Sequence, residues 1–553
     1  MNIQSMKLYL LIVFQWFYCF GFSQTEIVWW RLESDTLKQF SGLPLRFISN
    51  APEISIRYRC VSSVVFKNMA IDAAKGIDLY AIDSDGLWHR AIGSTSFADT
   101  VVHVYKELRP NDNFHKLGRE YELYLPLSCS IADLQIGVPV GCLFTKIPER
   151  PEKPIVILGS SSIQGVGASR PGMAWTNILT RRLDRNVIRR NFSDKGLVNK
   201  SVADLVTDLD PRIFILDFLN DTVKVERDSI HVVQAIVDAI KTIRSKYRHT
   251  PILFSEHPGY SNGYLLAHRQ IVTDRLNRIL QAALQQLKKE NIQAIHLLSQ
   301  REIGIGIDDM SDGEHLNDMG MMQYAIAFEK KLRDIFHEPI GTLKTQIPIR
   351  QRRTPQGYDW EGRHRTMLSL NKTESNKILL IGNSITHNWG GKPNTKSNAS
   401  WQKYLAPYDV RNFGYGADRI ENVLWRIYHD ELLGIDPEKI FINIGTNNLR
   451  VNSNEEIIEG LRFLVQILKI HQPNAEITLL GIYPRRDYED RIILINTILR
   501  KMTAAEHVRF ADIGKDMFLE TGKVNEKLFT DGLHPNADGY EILGKQLQVL
   551  LKK

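Results

Sequence analysis

Short apolar runs with a period of two residues dominate the first part of the chain. Residues 24–149 contain runs such as EISIRYRC, GIDLYAI and YELYLPL, separated by Gly, Pro, Asn and Asp. Alternation of this kind between turn residues is typical of a β-sandwich. We therefore predict a β-rich accessory module here.

From residue 150 onward, apolar strands alternate with helical patterns. Residues 232–247 have apolar side chains at helical spacing before the strand PILFSEH, and residues 275–292 repeat this before AIHLLS. Alternating strands and helices predict parallel sheets covered by helices on both faces. Functional side chains then belong at the carboxyl ends of the strands.

Two copies of one unit follow each other. The stretches PIVILGSSSIQG and KILLIGNSITHNW each run from an apolar strand through Gly into Ser, and an Asp-x-x-His group follows each of them. Ser161 precedes His315 by 154 positions, and Ser384 precedes His534 by 150. Because the landmarks recur in order at similar spacing, we infer a duplicated domain.

These patterns predict an α/β protein with two flavodoxin-like three-layer α/β/α domains behind a β-sandwich-like module. Between the two copies, Pro, Arg and Gln accumulate, and Arg350, Arg352 and Arg353 are expected to be part of a solvated connector. The predicted boundaries are 1–23 for a signal peptide, 24–149 for the accessory module, 150–338 for the first domain, 339–374 for a linker and 375–553 for the second domain.

The N-terminal residues have the pattern of a signal peptide. Lys7 precedes an uncharged run from Leu8 to Phe22, which ends in the small residues that a signal peptidase accepts. About 15 apolar residues are short for a membrane span. We therefore expect a secreted or periplasmic protein with no stable membrane insertion once the peptide, including Cys19, is removed.

The composition argues against several classes of function. The chain is 43% hydrophobic and 24% charged, and its formal net charge of +7 is small beside 70 basic and 63 acidic residues, so a nucleic-acid partner is not expected. Cys60, Cys129 and Cys142 allow at most one local disulfide, and whether Cys129 pairs with Cys142 stays open. These cysteines lack partners at zinc spacing, and no metal or cofactor is expected.

The second copy contains the parts of a hydrolytic triad. Ser384 is the candidate nucleophile, His534 the general base that takes its proton, and Asp531 the carboxylate that orients the imidazole. Attack on an ester develops an oxyanion that needs fixed hydrogen-bond donors. The peptide N–H of Ser384, a backbone N–H within NFGYGAD and the side-chain amide of Asn447 are candidates.

These motifs resemble those of the SGNH, or GDSL-type, hydrolase superfamily, which carries Ser, Gly, Asn and Asp-x-x-His in four blocks. The second copy is particularly similar to the platelet-activating-factor acetylhydrolase type, through NFGYGADRIENVLWRI, FINIGTNN and DGLHPNADGY. Asn383 stands where that family usually has Asp, and Ala417 stands where it has the oxyanion Gly. Since that Gly acts through its backbone N–H, Ala417 can replace it if its backbone conformation is tolerated.

The first half resembles an arrangement in which a module with a Gly-x-Asp-Leu-Tyr motif, Gly76 to Tyr80, precedes the hydrolase. The resemblance places the nucleophile on Ser161, with Ser160 and Ser162 as neighbouring alternatives, and completes a triad with Asp312 and His315. For the oxyanion it offers Gly196 and Asn220, with Asp194 and Asp221 competing for these positions. A carboxylate there would repel the oxyanion, so whether this site is active or a binding-only copy stays open.

The resemblance implies an esterase without identifying the ester. His387, Trp389, Gly390 and Gly391 beside the nucleophile suggest a small pocket with polar and aromatic walls. By analogy we expect a carbohydrate O-acetyl esterase with an acylated carbohydrate as its partner. The alternatives are a lipid or acyl-thioester hydrolase of the acetylhydrolase type and a glycan-binding protein with a degenerate first copy.

Overall fold

A computed structural model describes most of the chain. The described residues are 26–32, 44–63, 69–83, 86–109, 118–159, 161–191, 202, 205–219, 229–351, 358–374 and 377–552. The predicted signal peptide, Gly196 and Asn220 lie outside them.

The N-terminal module is a sandwich of two five-stranded antiparallel sheets. Their orders are β1-β9-β3-β7-β6 and β10-β2-β8-β4-β5, and side chains such as Phe47, Ile56 and Leu123 fill the space between them. The predicted β-sandwich is thereby confirmed. The elements are β1 (Ile27–Arg31), β2 (Leu45–Ser49), β3 (Ile54–Ser63), α1 (Ile71–Lys75), β4 (Asp78–Ile82), β5 (Trp88–Ala91), β6 (Ser94–Ser96), β7 (Thr100–Tyr105), β8 (Arg119–Tyr124), β9 (Cys129–Pro139) and β10 (Phe144–Lys146).

A disulfide joins two neighbouring strands of this module. Cys60 on β3 is bonded to Cys129 on β9, while Cys142 is free. The pairing left open by the cysteine count is therefore Cys60 with Cys129. The two are not direct partners in the register of β3 against β9, but the ladder is irregular next to Cys60 and their Cα atoms lie 5.8 Å apart, within the range of a disulfide.

The Gly-x-Asp-Leu-Tyr motif fastens the module to the first α/β domain. The carboxylate of Asp78 is buried and accepts hydrogen bonds from the backbone N–H of Gly172 at 2.7 Å and from Arg170 at 2.9 Å. Arg170 also donates to the hydroxyl of Tyr80 at 2.6 Å. The motif thus has a docking role, and Tyr80 is buried at this contact.

The first α/β domain has a parallel sheet with the order β12-β11-β13-β14-β15. In chain order this is 2-1-3-4-5, the flavodoxin-like order. On β11, Ile155 and Ile157 face one helical layer and Val156 and Leu158 face the other, as the period of two requires. The elements are β11 (Ile155–Gly159), α2 (Ser161–Gln164), α3 (Trp175–Leu183), β12 (Val187–Asn191), β13 (Ile213–Asp217), α4 (Ser229–Lys246), β14 (Ile252–Ser255), α5 (Ala267–Lys289), β15 (Ile295–Leu298), α6 (Gln300–Ile303) and α7 (Asp318–Phe336).

The connection between the α/β domains packs tightly and contains α8 (Trp360–Leu370). Arg350 is only 2% exposed and pairs with Glu120 of the β module at 2.6 Å and with Glu361 of α8. The expectation of a solvated arginine is therefore wrong at Arg350, because two carboxylates from different parts of the chain compensate its burial. Arg352 and Arg353 lie outside the described residues.

The second α/β domain repeats the first. Its parallel sheet has the order β17-β16-β18-β19-β20, again 2-1-3-4-5, so the predicted pair of three-layer α/β/α domains is confirmed. The elements are β16 (Ile378–Gly382), α9 (Ser384–Trp389), α10 (Ala399–Tyr404), β17 (Val410–Gly414), α11 (Ile420–Arg426), β18 (Lys439–Asn443), α12 (Asn454–His471), β19 (Glu476–Leu480), α13 (Glu489–Ala505), β20 (Arg509–Ala511) and α14 (Ala537–Leu551).

Within the described residues, no helix is both long enough and apolar enough to span a bilayer.

Candidate active site

A sharp turn between β16 and α9 presents Ser384. The strand ends at Gly382, where an added Cβ would lie 2.1 Å from Oγ1 of Thr386, so the turn has room for glycine only. Asn383 follows as the N-cap of α9, its side chain accepting from the N–H of Ile385 at 2.9 Å. Ser384 is therefore the first residue of the helix, half-buried at the carboxyl edge of the sheet. Asn and Asp are comparable N-cap residues, so Asn383 meets the local requirement of the turn.

The structure brings the three predicted triad residues of the second domain together. The hydroxyl Oγ of Ser384 lies 2.9 Å from Nε2 of His534, and Nδ1 of His534 lies 2.7 Å from Oδ2 of Asp531. A carboxylate on Nδ1 fixes the tautomer in which Nε2 is unprotonated and accepts the hydroxyl proton. The arrangement can therefore generate a serine nucleophile.

The loop itself holds Asp531 in its charged form. The second carboxylate oxygen accepts from the backbone N–H groups of Leu533 at 3.0 Å and His534 at 2.7 Å. Partial burial acts to raise the pKa of Asp531, but these hydrogen bonds and the imidazole outweigh it and lower the pKa to about 2. A negative charge thus faces His534 throughout the neutral range.

The same loop occurs in the first domain. Nδ1 of His315 lies 2.8 Å from Oδ2 of Asp312, whose other oxygen accepts from the N–H groups of Glu314 at 3.0 Å and His315 at 2.8 Å. Against the opposing effect of partial burial, these bonds lower the pKa of Asp312 to about 2. In both copies an Asn two residues after the His caps the next helix, Asn317 for α7 and Asn536 for α14.

On the oxyanion side, Asn447 is held in place by the backbone. Its Nδ2 donates to the carbonyl oxygen of Asp418 at 2.9 Å. A side-chain amide has two N–H groups, so a second donor remains on Asn447. The buried carboxylate of Asp418 in turn accepts from Trp360 at 2.7 Å and Arg426 at 3.0 Å, which keeps the carbonyl that orients the amide rigid.

Ala417 occupies a left-handed backbone conformation, with φ of +60°. This conformation favours Gly, since a Cβ makes it unfavourable by about 1–2 kcal/mol. The chain therefore tolerates Ala at position 417 in this conformation, at a cost in backbone strain.

We expect the substitution Ala417→Gly to raise the stability of the second domain without loss of activity. Relief of the left-handed strain outweighs the extra freedom that Gly gives the unfolded chain, for a net gain of about 0.5–1 kcal/mol. Thermal unfolding and kcat for acetyl ester hydrolysis measure the two effects. The matched substitution Ala399→Gly, at the first residue of α10, should not stabilise, and equal gains at both positions would contradict the role given to φ.

Helix α8 supports residues 412–416, the segment that leads to the candidate oxyanion donor Ala417. The sequence did not predict this support. Nε of Arg363 donates to the carbonyl of Gly414 at 2.8 Å, and its Nη2 reaches the carbonyl of Asn412 at 3.3 Å. Just before the helix, the hydroxyl of Tyr358 accepts from the N–H of Gly416 at 3.2 Å. The only signal available in the sequence was the helical pattern around 360–370, which carries no information about these partners.

We expect Arg363→Met to lower kcat by about 10–100-fold with little change in KM. The substitution removes the donor that fixes residues 412–414, and small displacements of oxyanion donors weaken binding of the transition state more than binding of the substrate. Steady-state kinetics on an acetyl ester measures this. Arg365→Met, at a partly exposed position of the same helix, is the control, and equal losses in both variants would show a general effect on α8.

Of the residues predicted to line the pocket, His387 contacts the segment beside the oxyanion donors, whereas Trp389 is part of the core. His387 accepts from the N–H of Gly416 at 3.2 Å, and burial together with the charge of Arg363 lowers its pKa to about 4, so it is neutral at pH 7. Trp389 is only 1% exposed and packs against Trp401 and Tyr540. The expectation that Trp389 lines the pocket is therefore wrong, because its ring belongs to the core beneath α9.

The nucleophile of the first site is only partly described. Ser160 and the side chain of Ser161 lie outside the described part of the chain, although Ser161 begins α2 as Ser384 begins α9. The hydroxyl of Ser162 donates to the buried carboxylate of Asp217 at 2.9 Å, which gives Ser162 a structural role.

The strand register bears on the oxyanion position of the first copy. Gly159 pairs with Asp217 as Gly382 pairs with Asn443. Counted along the sequence from these strand ends, Asp221 and not Asn220 corresponds to Asn447. Both candidates, like Gly196 and Asp194, lie outside the described residues.

Among the described residues, no group of three or more His, Cys, Asp or Glu side chains is arranged to hold a metal ion.

Comparison with known proteins identifies three segments. Residues 26–144 match a family described as the N-terminus of an esterase of the SGNH hydrolase type. Residues 152–333 and 380–542 each match a model of the GDSL-like lipase/acylhydrolase family, and these two segments together cover more than half of the chain.

Several curated proteins are similar to part of the chain. Platelet-activating factor acetylhydrolase IB subunit alpha2 of Rattus norvegicus is 28% identical over 202 residues, which are 35% of this chain and 85% of the relative. Subunit alpha1 of Bos taurus is 25% identical over 197 residues, 35% of this chain and 82% of the relative. A Bacteroides ovatus structure described as a GDSL-like lipase superposes with a TM-score of 0.50 at 24% identity, covering 56% of this chain and 98% of its own, which supports the fold.

Proposed function

Because the chain belongs to the GDSL-like, or SGNH, hydrolase family and is a serine esterase, we propose that its second domain removes small acyl groups, chiefly acetyl, from the hydroxyl groups of carbohydrates. The observation that carries the proposal is the hydrogen-bonded series Ser384, His534 and Asp531.

The geometry supports an acyl-enzyme mechanism. The hydroxyl of Ser384 attacks the ester carbonyl while its proton passes to Nε2 of His534, and the second N–H of Asn447 and the N–H of Ala417 are the donors for the resulting oxyanion. The bond to the alcohol breaks, and the alcohol leaves with the proton from His534. Water then attacks the acyl-enzyme, returns a proton through His534 to Ser384 and releases the carboxylic acid.

Close packing around the nucleophile supports a small acyl group. Added Cβ atoms at Gly382 and Gly414 would lie 2.1 Å and 2.5 Å from atoms of α9, so little free volume remains behind the turn. The polar side chains of His387, Tyr358 and Asn447 around the same turn suit an alcohol rich in hydroxyl groups. The relatives named as acetylhydrolases agree with acetyl as the acyl group.

Two substrate series test this proposal. On para-nitrophenyl acetate, butyrate and octanoate, we expect kcat/KM to fall as the acyl chain lengthens, and a panel of acetylated glycans should release acetate. A preference for octanoate, or acetate release from no glycan in the panel, would overturn the carbohydrate assignment.

A second candidate is hydrolysis of a short-acyl lipid. It is favoured by the similarity to proteins named platelet-activating factor acetylhydrolase, which covers most of those relatives. An assay of an acetylated ether phospholipid beside the glycan panel distinguishes the two candidate functions. The substrate with the higher kcat/KM identifies which of them the second domain performs.

We also propose that the protein is exported. The apolar run before residue 24 and the disulfide between Cys60 and Cys129 support this, because such bonds persist in oxidising compartments. N-terminal sequencing of protein from the extracellular or periplasmic fraction should begin at Gln24. Recovery of the chain only inside the cell with Met1 retained would contradict export.

A further inference from the structure

Arg485 lies beside the triad on a loop attached to its histidine segment. The loop follows β19 and is fixed at one end by Asn496, whose side chain accepts from the N–H of Ile482 at 2.9 Å. At the other end the N–H of Arg486 donates to the carbonyl of Gly532, within the segment between Asp531 and His534, at 2.8 Å.

 This backbone contact places Arg485 next to the loop that carries Asp531 and His534.

The guanidinium of Arg485 is held rigidly. Its Nη1 donates to the carbonyl of Thr446, the residue before Asn447, at 2.7 Å, and its centre lies 5.0 Å from the ring centre of Tyr488. Arg485 therefore bridges the two sides of the site, the oxyanion side through Thr446 and the histidine side through its own loop.

This cation is half-buried without a carboxylate partner among the described residues. Burial lowers the pKa of Arg485, while the charge of Asp531 acts against this. The oxygens of Asp531 are already used by His534 and by backbone N–H groups. The neighbouring Arg486, by contrast, is exposed and pairs with Glu526 at 2.6 Å. A partly desolvated guanidinium with free N–H groups is suited to a bidentate anion.

The equivalent position of the first domain is different. The N–H of His257 is bound by Asn277 as Ile482 is bound by Asn496, which makes Tyr260 the counterpart of Arg485. The nearby guanidinium of Arg269 lies over the Tyr260 ring and faces the carboxylate of Glu314 at 3.7 Å. A cation without a carboxylate partner is therefore a property of the second site and not of the shared fold.

We propose that Arg485 is a specificity-determining residue that binds an anionic group, a carboxylate or a phosphate, on the alcohol part of the ester. The inference rests on the proposed function. The leaving oxygen must approach Nε2 of His534 to receive its proton, so the alcohol part lies on the side of the histidine loop, where Arg485 is. The substrate class is then an acetylated acidic sugar or an acetyl ester of a phosphate-bearing alcohol.

Matched pairs of acetyl esters test the proposal. The first pair is O-acetylgalacturonic acid and its carboxyl methyl ester, and the second is acetylglycerol 3-phosphate and acetylglycerol. We expect the wild-type protein to favour the anionic member of at least one pair by about tenfold or more in kcat/KM, mainly through KM, and the preference to weaken with added salt. The pair with the larger ratio identifies carboxylate or phosphate as the anion.

The variants separate recognition from support of the fold. Arg485→Gln should reduce the ratio to about one, and Arg485→Lys should keep part of it because the charge remains. Arg486→Gln, at the neighbouring exposed position, is the control and should keep the full ratio. An equal rate for both members of each pair in the wild type, or an unchanged ratio in Arg485→Gln, would overturn the proposal.

A binding measurement makes the test independent of turnover. In the Ser384→Ala background, calorimetric titration with galacturonate and glycerol 3-phosphate should show binding of at least one anion, weakened about tenfold or more by Arg485→Gln. Absence of binding to both anions overturns the anion subsite. Failure of the proposed esterase would be seen separately, as an absence of acetate release that depends on Ser384.

Discussion

In a protein whose first site is already disabled by Ser161→Ala, replacing Ser384 by alanine is expected to lower kcat for acetyl ester hydrolysis by about 10⁴-fold or more, with little change in KM. The hydroxyl that lies 2.9 Å from His534 is the only group in this triad that can form the acyl-enzyme. Hydrolysis that remains would come from the oxyanion donors and from direct attack by water. Release of acetate from an acetylated glycan, measured with purified full-length protein, gives the rate.

Ser161→Ala is the matched control, because Ser161 begins α2 as Ser384 begins α9. If Ser384→Ala alone abolishes turnover, the first domain is a binding copy. If each single variant keeps part of the activity and the double variant has none, both domains are esterases. Undiminished acetate release by the double variant would contradict both nucleophile assignments.

The comparison of the two copies explains why this control is informative. The loops of Asp312 with His315 and Asp531 with His534 have nearly the same hydrogen bonds, so both histidines are oriented for base catalysis. The difference lies on the oxyanion side, where Asp221 corresponds in sequence count to Asn447. A carboxylate there would raise the barrier that an amide lowers.

Much of this fold could be predicted because its signals are local. The apolar strand before Ser384 and the cap residues before α14 are short-range features that act within a few residues. Duplication strengthened them, since each landmark had a partner at similar spacing. The triad followed from the order of Ser, Asp and His along the chain.

The contacts that could not be predicted join residues that lie far apart in the sequence. Arg363 contacts residues 49 and 51 positions away, and Arg350 reaches Glu120 across 230 positions. An arginine in a polar, Pro-rich segment is expected to be exposed, because charged residues are rarely buried unless paired. Likewise, the pairing of Cys60 with Cys129 depends on the register of β3 against β9, which the cysteine count does not contain.

A buried ion pair joins the two α/β domains. Arg185 of the first domain donates to the two carboxylate oxygens of Asp430 in the second at 3.0 Å and 3.1 Å, and to the carbonyl of Tyr428 at 2.5 Å. Burial acts to raise the pKa of Asp430, but Arg185 and Arg212 outweigh it and lower the pKa from 3.8 to about 2. The pair therefore stabilises the junction above pH 3.8, and its contribution is lost as the pH falls through about 2.

Arg185→Met is expected to destabilise this junction by about 3 kcal/mol, because the buried carboxylate of Asp430 then keeps only the backbone N–H of Lys153 and the more distant cation of Arg212. The corresponding fall in Tm is roughly 6–12 °C for a domain of this size. Calorimetry should show the affected transition at neutral pH, and the loss of stability relative to the wild type should shrink as the pH falls, because protonation removes the unpaired charge of Asp430.

Two further variants distinguish a buried pair from a general effect of losing an arginine. Arg182→Met removes an exposed arginine that pairs with Glu329 and should cost less than about 1 kcal/mol. Adding Asp430→Asn to Arg185→Met should recover part of the stability, since an amide has no charge to leave unpaired and Asn tolerates the left-handed backbone at this position, where φ is +69°. A double variant less stable than Arg185→Met alone would show that the hydrogen bonds of Asp430, and not the burial of its charge, hold the domains together.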